Sequence, residues 1–320
     1  MSWQVELQTI FNKVEDLLGY LELPVSADQV LLDPKFPIKV PKSFADRMIK
    51  KNWNCPLLKQ VLPLAIEEND SQGVLDPLME SNFIYQKGVL KKFQRRVLVV
   101  ASGHCAINCR YCFRRHFPYQ DHRFSSKDWE NLLENLKKDK EIREIILSGG
   151  DPLTLPDLHL KKIFEKINLI DHIQTIRVHT RLPIVIPSRL TNDFVELIEN
   201  NRKKIVLVFH INHPNEISAE MTKQFQLMQR KGCIMFNQAV LLKGINDEVE
   251  TQEALWRKCF DAGILAYYLH QFDDVLGARH FEVSLQQGLL LVDQLKAVLP
   301  GFMMPRYVKE EPFAHSKVAL

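Results

Sequence analysis

From Arg96 onward, short runs of β-branched and apolar residues alternate with longer amphipathic segments. No other feature constrains the fold as strongly. Residues 97–100, 142–147, 175–178, 205–209, 234–240 and 264–269 read as buried strands. Each is short and mostly apolar, as a strand covered on both faces requires. Amphipathic stretches at 127–136, 157–167, 191–200, 216–230 and 248–262 separate them. Strands that alternate with helices pair in parallel through right-handed crossovers, so the expected fold is α/β, a partial parallel (βα)6 barrel. A doubly wound sheet is the alternative. In either case reactive groups gather at the carboxyl ends of the strands.

The first part of the chain reads as a helical extension. Apolar residues recur at helical spacing over 5–21, 43–51 and 56–68, with Pro34, Pro37 and Pro41 marking a loop between them. The expected organisation is a helical cap over 1–90, the barrel over 91–300 and a short C-terminal segment over 301–320. The 42 basic and 39 acidic residues leave a net charge of +3, with no long basic tract to suit nucleic acid. No apolar run is long enough for a bilayer, so no membrane partner is expected. Six cysteines without a signal peptide suit a reducing, cytoplasmic setting, and Cys55, Cys233 and Cys259 sit alone as packed thiols.

The other three cysteines lie in His104-Cys105-Ala106-Ile107-Asn108-Cys109-Arg110-Tyr111-Cys112, just past the first barrel strand. Thiolates are the usual ligands of iron–sulfur clusters, and a [4Fe–4S] cube takes four. Three close cysteines leave one iron open to bind and activate a small molecule. Zinc completed by His104 or His116 is the competing reading, weakened by the lack of a second cysteine pair. Ser148-Gly149-Gly150-Asp151 follows the second strand with two glycines that permit close backbone approach. His210, Gln238 and Asp273 fall at the same rim.

The cysteine spacing resembles the signature of radical S-adenosylmethionine enzymes, whose partial barrel suits six units. The runs 112–117, 147–153, 209–217, 237–247 and 271–273 are similar, in order, to motifs of the lysine 2,3-aminomutase family. This resemblance spans about residues 40–317. It implies migration of an amino group between adjacent carbons, with S-adenosylmethionine as radical source and pyridoxal phosphate as carrier. By the same resemblance Cys105, Cys109 and Cys112 hold the [4Fe–4S] cluster. Ser148, Gly149, Gly150, Asp151, His210 and Gln238 lie about S-adenosylmethionine, Arg96 binds the pyridoxal phosphate group, and Lys317 carries that cofactor as a Schiff base. Lys309 is the rival to Lys317. Arg114 matches the position for the substrate carboxylate, while Asp273 and Glu310 match the pair that receives the distant ammonium of L-lysine. Glu248 stands where longer family members supply a zinc cysteine, so no interface zinc is expected. The short tail resembles the branch that makes (R)-β-lysine for elongation factor P, with its ligase and a flavodoxin-like electron donor as functional partners. Glutamate or arginine as substrate, a zinc-stabilised binding module and an inactive scaffold are the other readings.

Overall fold

The computed structural model describes residues 2–25, 29–122 and 124–320. Ten strands form one sheet: β1 Ile84–Gln86, β2 Val89–Leu90, β3 Arg96–Ser102, β4 Glu144–Gly149, β5 Thr175–Thr180, β6 Lys204–His210, β7 Ile234–Val240, β8 Leu265–His270, β9 Arg306–Lys309 and β10 Val318–Ala319. Their order in space is their order along the chain. Strands β3 to β9 are parallel, and antiparallel pairs β1–β2, β2–β3 and β9–β10 finish the two ends. A doubly wound sheet must reverse direction once, and this one never does. Crossovers of one hand that always step the same way put the helices on one face and curl the other around an interior. Among the described residues no ladder joins β1 to β10, so the barrel is open.

The covering helices follow from local chemistry. In Asp157–Asn168, Leu160, Ile163, Phe164 and Ile167 are buried at helical spacing against the sheet. Thr191, Ser218 and Ser284 each accept a hydrogen bond from the backbone N–H three residues on, starting Asn192–Glu199, Ala219–Arg230 and Leu285–Val298. Each such cap stabilises its helix by about 1 kcal/mol. Ala219–Arg230 begins three residues later than the expected 216–230. Glu216 closes a preceding 3-10 turn, Pro214–Glu216, and its carboxylate is used elsewhere.

The N-terminal extension departs in detail from the three expected helices. The stretch 5–21 splits into Trp3–Gln8 and Val14–Tyr20, because Phe11 leaves the helix to bridge Val40. Only Lys42–Ala45 of the second and Pro56–Lys59 plus the 3-10 turn Ala65–Glu67 of the third are helical. Pro63 cannot continue a helix. The apolar residues are buried all the same: Phe44, Met48, Leu58 and Val61 join the core from turns as well as helices. Two pieces of sheet also escaped the strand pattern, the β1–β2 hairpin before residue 91 and the β9–β10 pair at the C-terminal end. The last residue is stitched in, Leu320 N donating to Tyr307 O at 3.0 Å.

Candidate active site

Inside the curl lies a cavity of about 510 Å3. Every site residue expected from the sequence lines it, from Arg96 and the three cysteines to Lys317. Lys309 does not: on β9 it alternates with Arg306 and Val308, which line the cavity, and it is exposed. Register sets the rim: His210 of β6 lies beside Gln238 of β7, and Gln238 beside Tyr268 of β8.

The cysteine loop is pinned to the end of β4. Gly150 N donates to Ser102 O at 2.7 Å, and Asp151 N to His104 O at 2.7 Å. A Cβ on Gly150 would lie 2.5 Å from His104 O, and Gly149 adopts φ +115° with its Cβ position 2.4 Å from Ser102 O. The glycines are therefore needed where two backbones touch. Asp151 is fully engaged. Its carboxylate accepts from Thr180 Oγ1 at 2.7 Å, from the N–H groups of Arg181 and Leu182 at 2.7 and 2.8 Å, and from Leu153 N at 3.0 Å. It thus ties β4 to the end of β5.

Beneath the loop lies a buried polar network that sequence reasoning missed. Arg181 Nη1 donates to Cys109 Sγ at 2.7 Å and to Tyr111 Oη at 2.6 Å, while Nη2 donates to Gln60 Oε1 at 2.6 Å and Glu216 Oε2 at 2.9 Å. The other Glu216 oxygen accepts from Gln60 Nε2 and from the N–H groups of Asn212 and His213. Burial opposes the Arg181 charge, but the Cys109 sulfur and Glu216 outweigh it and keep the guanidinium cationic. His210 joins through Nε2, 3.0 Å from Tyr111 Oη. Burial and the Arg181 charge push it down to about 3, so it is a neutral imidazole. The one local signal was a charged residue, Arg181, directly after a buried strand.

Burial pushes the Cys112 thiol up to about 12, and burial with the Asp151 charge pushes Cys105 well up. Free, these thiols stay protonated; a bound metal centre would hold them as thiolates. Among the described residues no three His, Cys, Asp or Glu side chains converge on one ion-sized point.

Arg114 is buried above Ser148, and its planar edge is already taken. Nε and Nη2 donate to the two oxygens of Glu80 at 2.7 and 2.6 Å, and only Nη1 is left toward Ser148 Oγ at 3.2 Å. Glu80 was also missed, since its partner is 34 residues away.

The opposite wall is acidic and basic at once. Glu310 accepts from Lys92 Nζ at 2.9 Å and pairs closely with Lys317 Nζ. Burial raises the Glu310 carboxyl, but the two ammonium groups outweigh it and hold it at about 2. Asp273 moves the other way, pushed up to about 7 by burial and the Glu310 charge. Asp274 is a surface acid paired with Arg279 at 2.8 Å. At the floor Arg96 is half-exposed, 3.8 Å from Glu144, which also accepts from Arg177 Nη2 at 2.7 Å. Arg177 Nε and His179 Nε2 are buried here without a partner. Unsatisfied buried donors beside a lysine and an arginine fit an anionic cofactor such as pyridoxal phosphate.

The radical SAM superfamily model matches residues 99–253. The L-lysine 2,3-aminomutase of Buchnera aphidicola is 39% identical, covering 99% of this chain and 94% of the relative. That of Escherichia coli is 38% identical over 100% of this chain and 94% of its own length. The one from Clostridium subterminale is 29% identical over 97% of this chain and 76% of its own. Among the described residues no helix is long and apolar enough to cross a membrane. With three cysteines on one wall of a parallel-sheet cavity and this likeness over the full chain, the protein belongs to the L-lysine 2,3-aminomutase family of radical SAM isomerases.

Proposed function

We propose that the protein converts L-α-lysine to β-lysine, using a [4Fe–4S] cluster, S-adenosylmethionine and pyridoxal phosphate. One observation carries this reading: the three cysteines, Lys317 and the Asp273–Glu310 pair line a single cavity. Cys105, Cys109 and Cys112 would hold the cluster. Ser148, Gly149, Gly150, Asp151, His210 and Gln238 would surround S-adenosylmethionine, Lys317 would bind pyridoxal phosphate covalently, and Arg96 would receive its phosphate. When bound, the reduced cluster and S-adenosylmethionine supply a hydrogen-abstracting carbon radical, and pyridoxal phosphate supplies a carrier for the migrating amino group.

The chain's own residues orient the substrate. Two carboxylates favour a distant ammonium and repel the side-chain carboxylate of glutamate. Asp273 must be ionised for this, and the incoming cation favours ionisation. Arg114 offers Nη1 and Ser148 its hydroxyl to the substrate carboxylate, with the guanidinium held flat by Glu80. The enclosing walls keep water and stray hydrogen donors from the radical, and fixed positions keep the reacting carbons close.

The R configuration of the product and its delivery to elongation factor P extend the proposal, supported by the greater likeness to the Buchnera aphidicola and Escherichia coli relatives, at 39 and 38% identity, than to the Clostridium subterminale one at 29%. The deciding experiment is anaerobic reconstitution with iron, sulfide, pyridoxal phosphate, S-adenosylmethionine and a one-electron donor, then chiral analysis of products from lysine, arginine and glutamate. (R)-β-lysine as the dominant product is expected. A cluster-loaded enzyme that turns over arginine or glutamate in preference would overturn the substrate assignment.

A further inference from the structure

Among the described residues, Arg181 is the one cation that touches the cysteine loop through a sulfur, and Cys109 alone of the three cysteines takes a side-chain hydrogen bond, from Arg181 Nη1 at 2.7 Å. The guanidinium is held in place. Nη1 also donates to Tyr111, Nη2 donates to Gln60 and Glu216, all at 2.6 to 2.9 Å, and the group lies over the rings of Phe44 and Tyr111. Glu216 is wholly buried, and its side chain ties Arg181 to Gln60 of the N-terminal extension and to the backbone after β6. A fixed, dry positive charge against a ligand sulfur has one clear consequence for an iron–sulfur centre. Reduction adds one electron and one negative charge, and N–H groups aimed at the sulfurs stabilise the more negative state.

We propose that Arg181 is a positioning residue that sets the reduction potential of the cluster through its hydrogen bond to Cys109, with Glu216 as the opposing charge that limits the effect. This rests on the reading that Cys105, Cys109 and Cys112 hold the cluster. The pair makes the centre easier to reduce by a one-electron donor than the same three thiolates would be without the Arg181 hydrogen bond.

The test is a mediated dithionite titration followed by electron paramagnetic resonance, without S-adenosylmethionine or lysine, on reconstituted protein of matched iron and sulfide content. Arg181→Met lowers the potential, by at least a tenfold change in the reduction equilibrium, which is 59 mV for a one-electron couple. Arg181→Lys keeps the charge and recovers part of that loss. Glu216→Gln removes the counter-charge and shifts the potential the opposite way, so a sign is tested as well as a size. If Arg181→Met does not fold, Arg181→Lys and Glu216→Gln decide. Unshifted potentials in the loaded variants overturn the inference and leave the cluster reading intact. A wild-type protein that takes up no iron and sulfide overturns the cluster reading, and this inference with it.

Discussion

The two walls of the cavity are built on opposite plans. On the cysteine wall nearly every polar group is committed. Asp151 spends three hydrogen bonds on the chain at the end of β5 and a fourth on Leu153 N, and Glu216 spends its two oxygens on four donors. On the lysine wall the groups are paired with one another and could exchange partners. Glu310 holds two ammonium groups, Asp273 is pushed toward neutrality, and the segment is attached by two residue pairs between β9 and β10. A rigid wall suits a centre whose position must not change. A wall of exchangeable ion pairs suits a lysine that must let go and a substrate cation that must come and go.

The largest effect should come from the rigid wall. Cys109→Ala removes a proposed cluster ligand and the acceptor of Arg181 together, leaving a buried cation without its sulfur partner. Cleavage of S-adenosylmethionine to deoxyadenosine, read by chromatography, should fall below detection. A variant that still cleaves at the wild-type rate would show that this wall is not the radical source. Lys317→Ala should separate the walls. Iron and sulfide content stay at the wild-type level, while borohydride no longer fixes pyridoxal phosphate to the chain. Loss of iron as well would mean that the two walls are not independent.

The acidic pair gives a smaller effect that depends on pH. The folded value for Asp273, about 7, lies above its ordinary 3.8. The folded protein therefore binds this proton more tightly than the unfolded chain does. Stability from this group is fully present below about pH 4 and is lost as pH rises through about 7. Binding of the substrate ammonium runs in the opposite sense, since it needs the carboxylate. Below about pH 7 the affinity for lysine should weaken by roughly tenfold per unit. Asp273→Asn should flatten both trends, in thermal melts across pH and in KM for lysine. A KM profile that keeps its slope in Asp273→Asn would assign the titration to another group.

The rigid wall and the loose one were also unequally legible. Strands β3 to β8, the cysteine spacing and the glycine turn are local patterns, so each could be read where it stands. The network under the cysteines is not local. Arg181 meets Gln60 from 121 residues away and Glu216 from 35, and nothing near any of them signals the meeting. Glu216 even fitted the start of a helix. The N-terminal helices misled for a related reason: apolar spacing reports burial, and Phe44 or Val61 is buried whether or not the backbone stays helical. Strand β9 is short and half-polar and β10 is only two residues long, so both are held by partners rather than by propensity.

The smallest effect should come from Lys309, and it sharpens the comparison most cheaply. Lys309 ends β9 and Lys317 directly precedes β10, where Lys309 pairs with Val318. From sequence both lysines were candidates for the cofactor. Alternation along β9 decides between them: Arg306 and Val308 line the cavity, and Lys309 is exposed to solvent. Its ladder bonds are made by backbone, which Lys309→Ala retains, and an exposed strand substitution costs about 0.5 kcal/mol or less. Borohydride trapping and the melting temperature should therefore match the wild type. If Lys309→Ala abolished trapping while Lys317→Ala kept it, the cofactor would hang from the outer face of β9 and the lysine wall described above would be wrong.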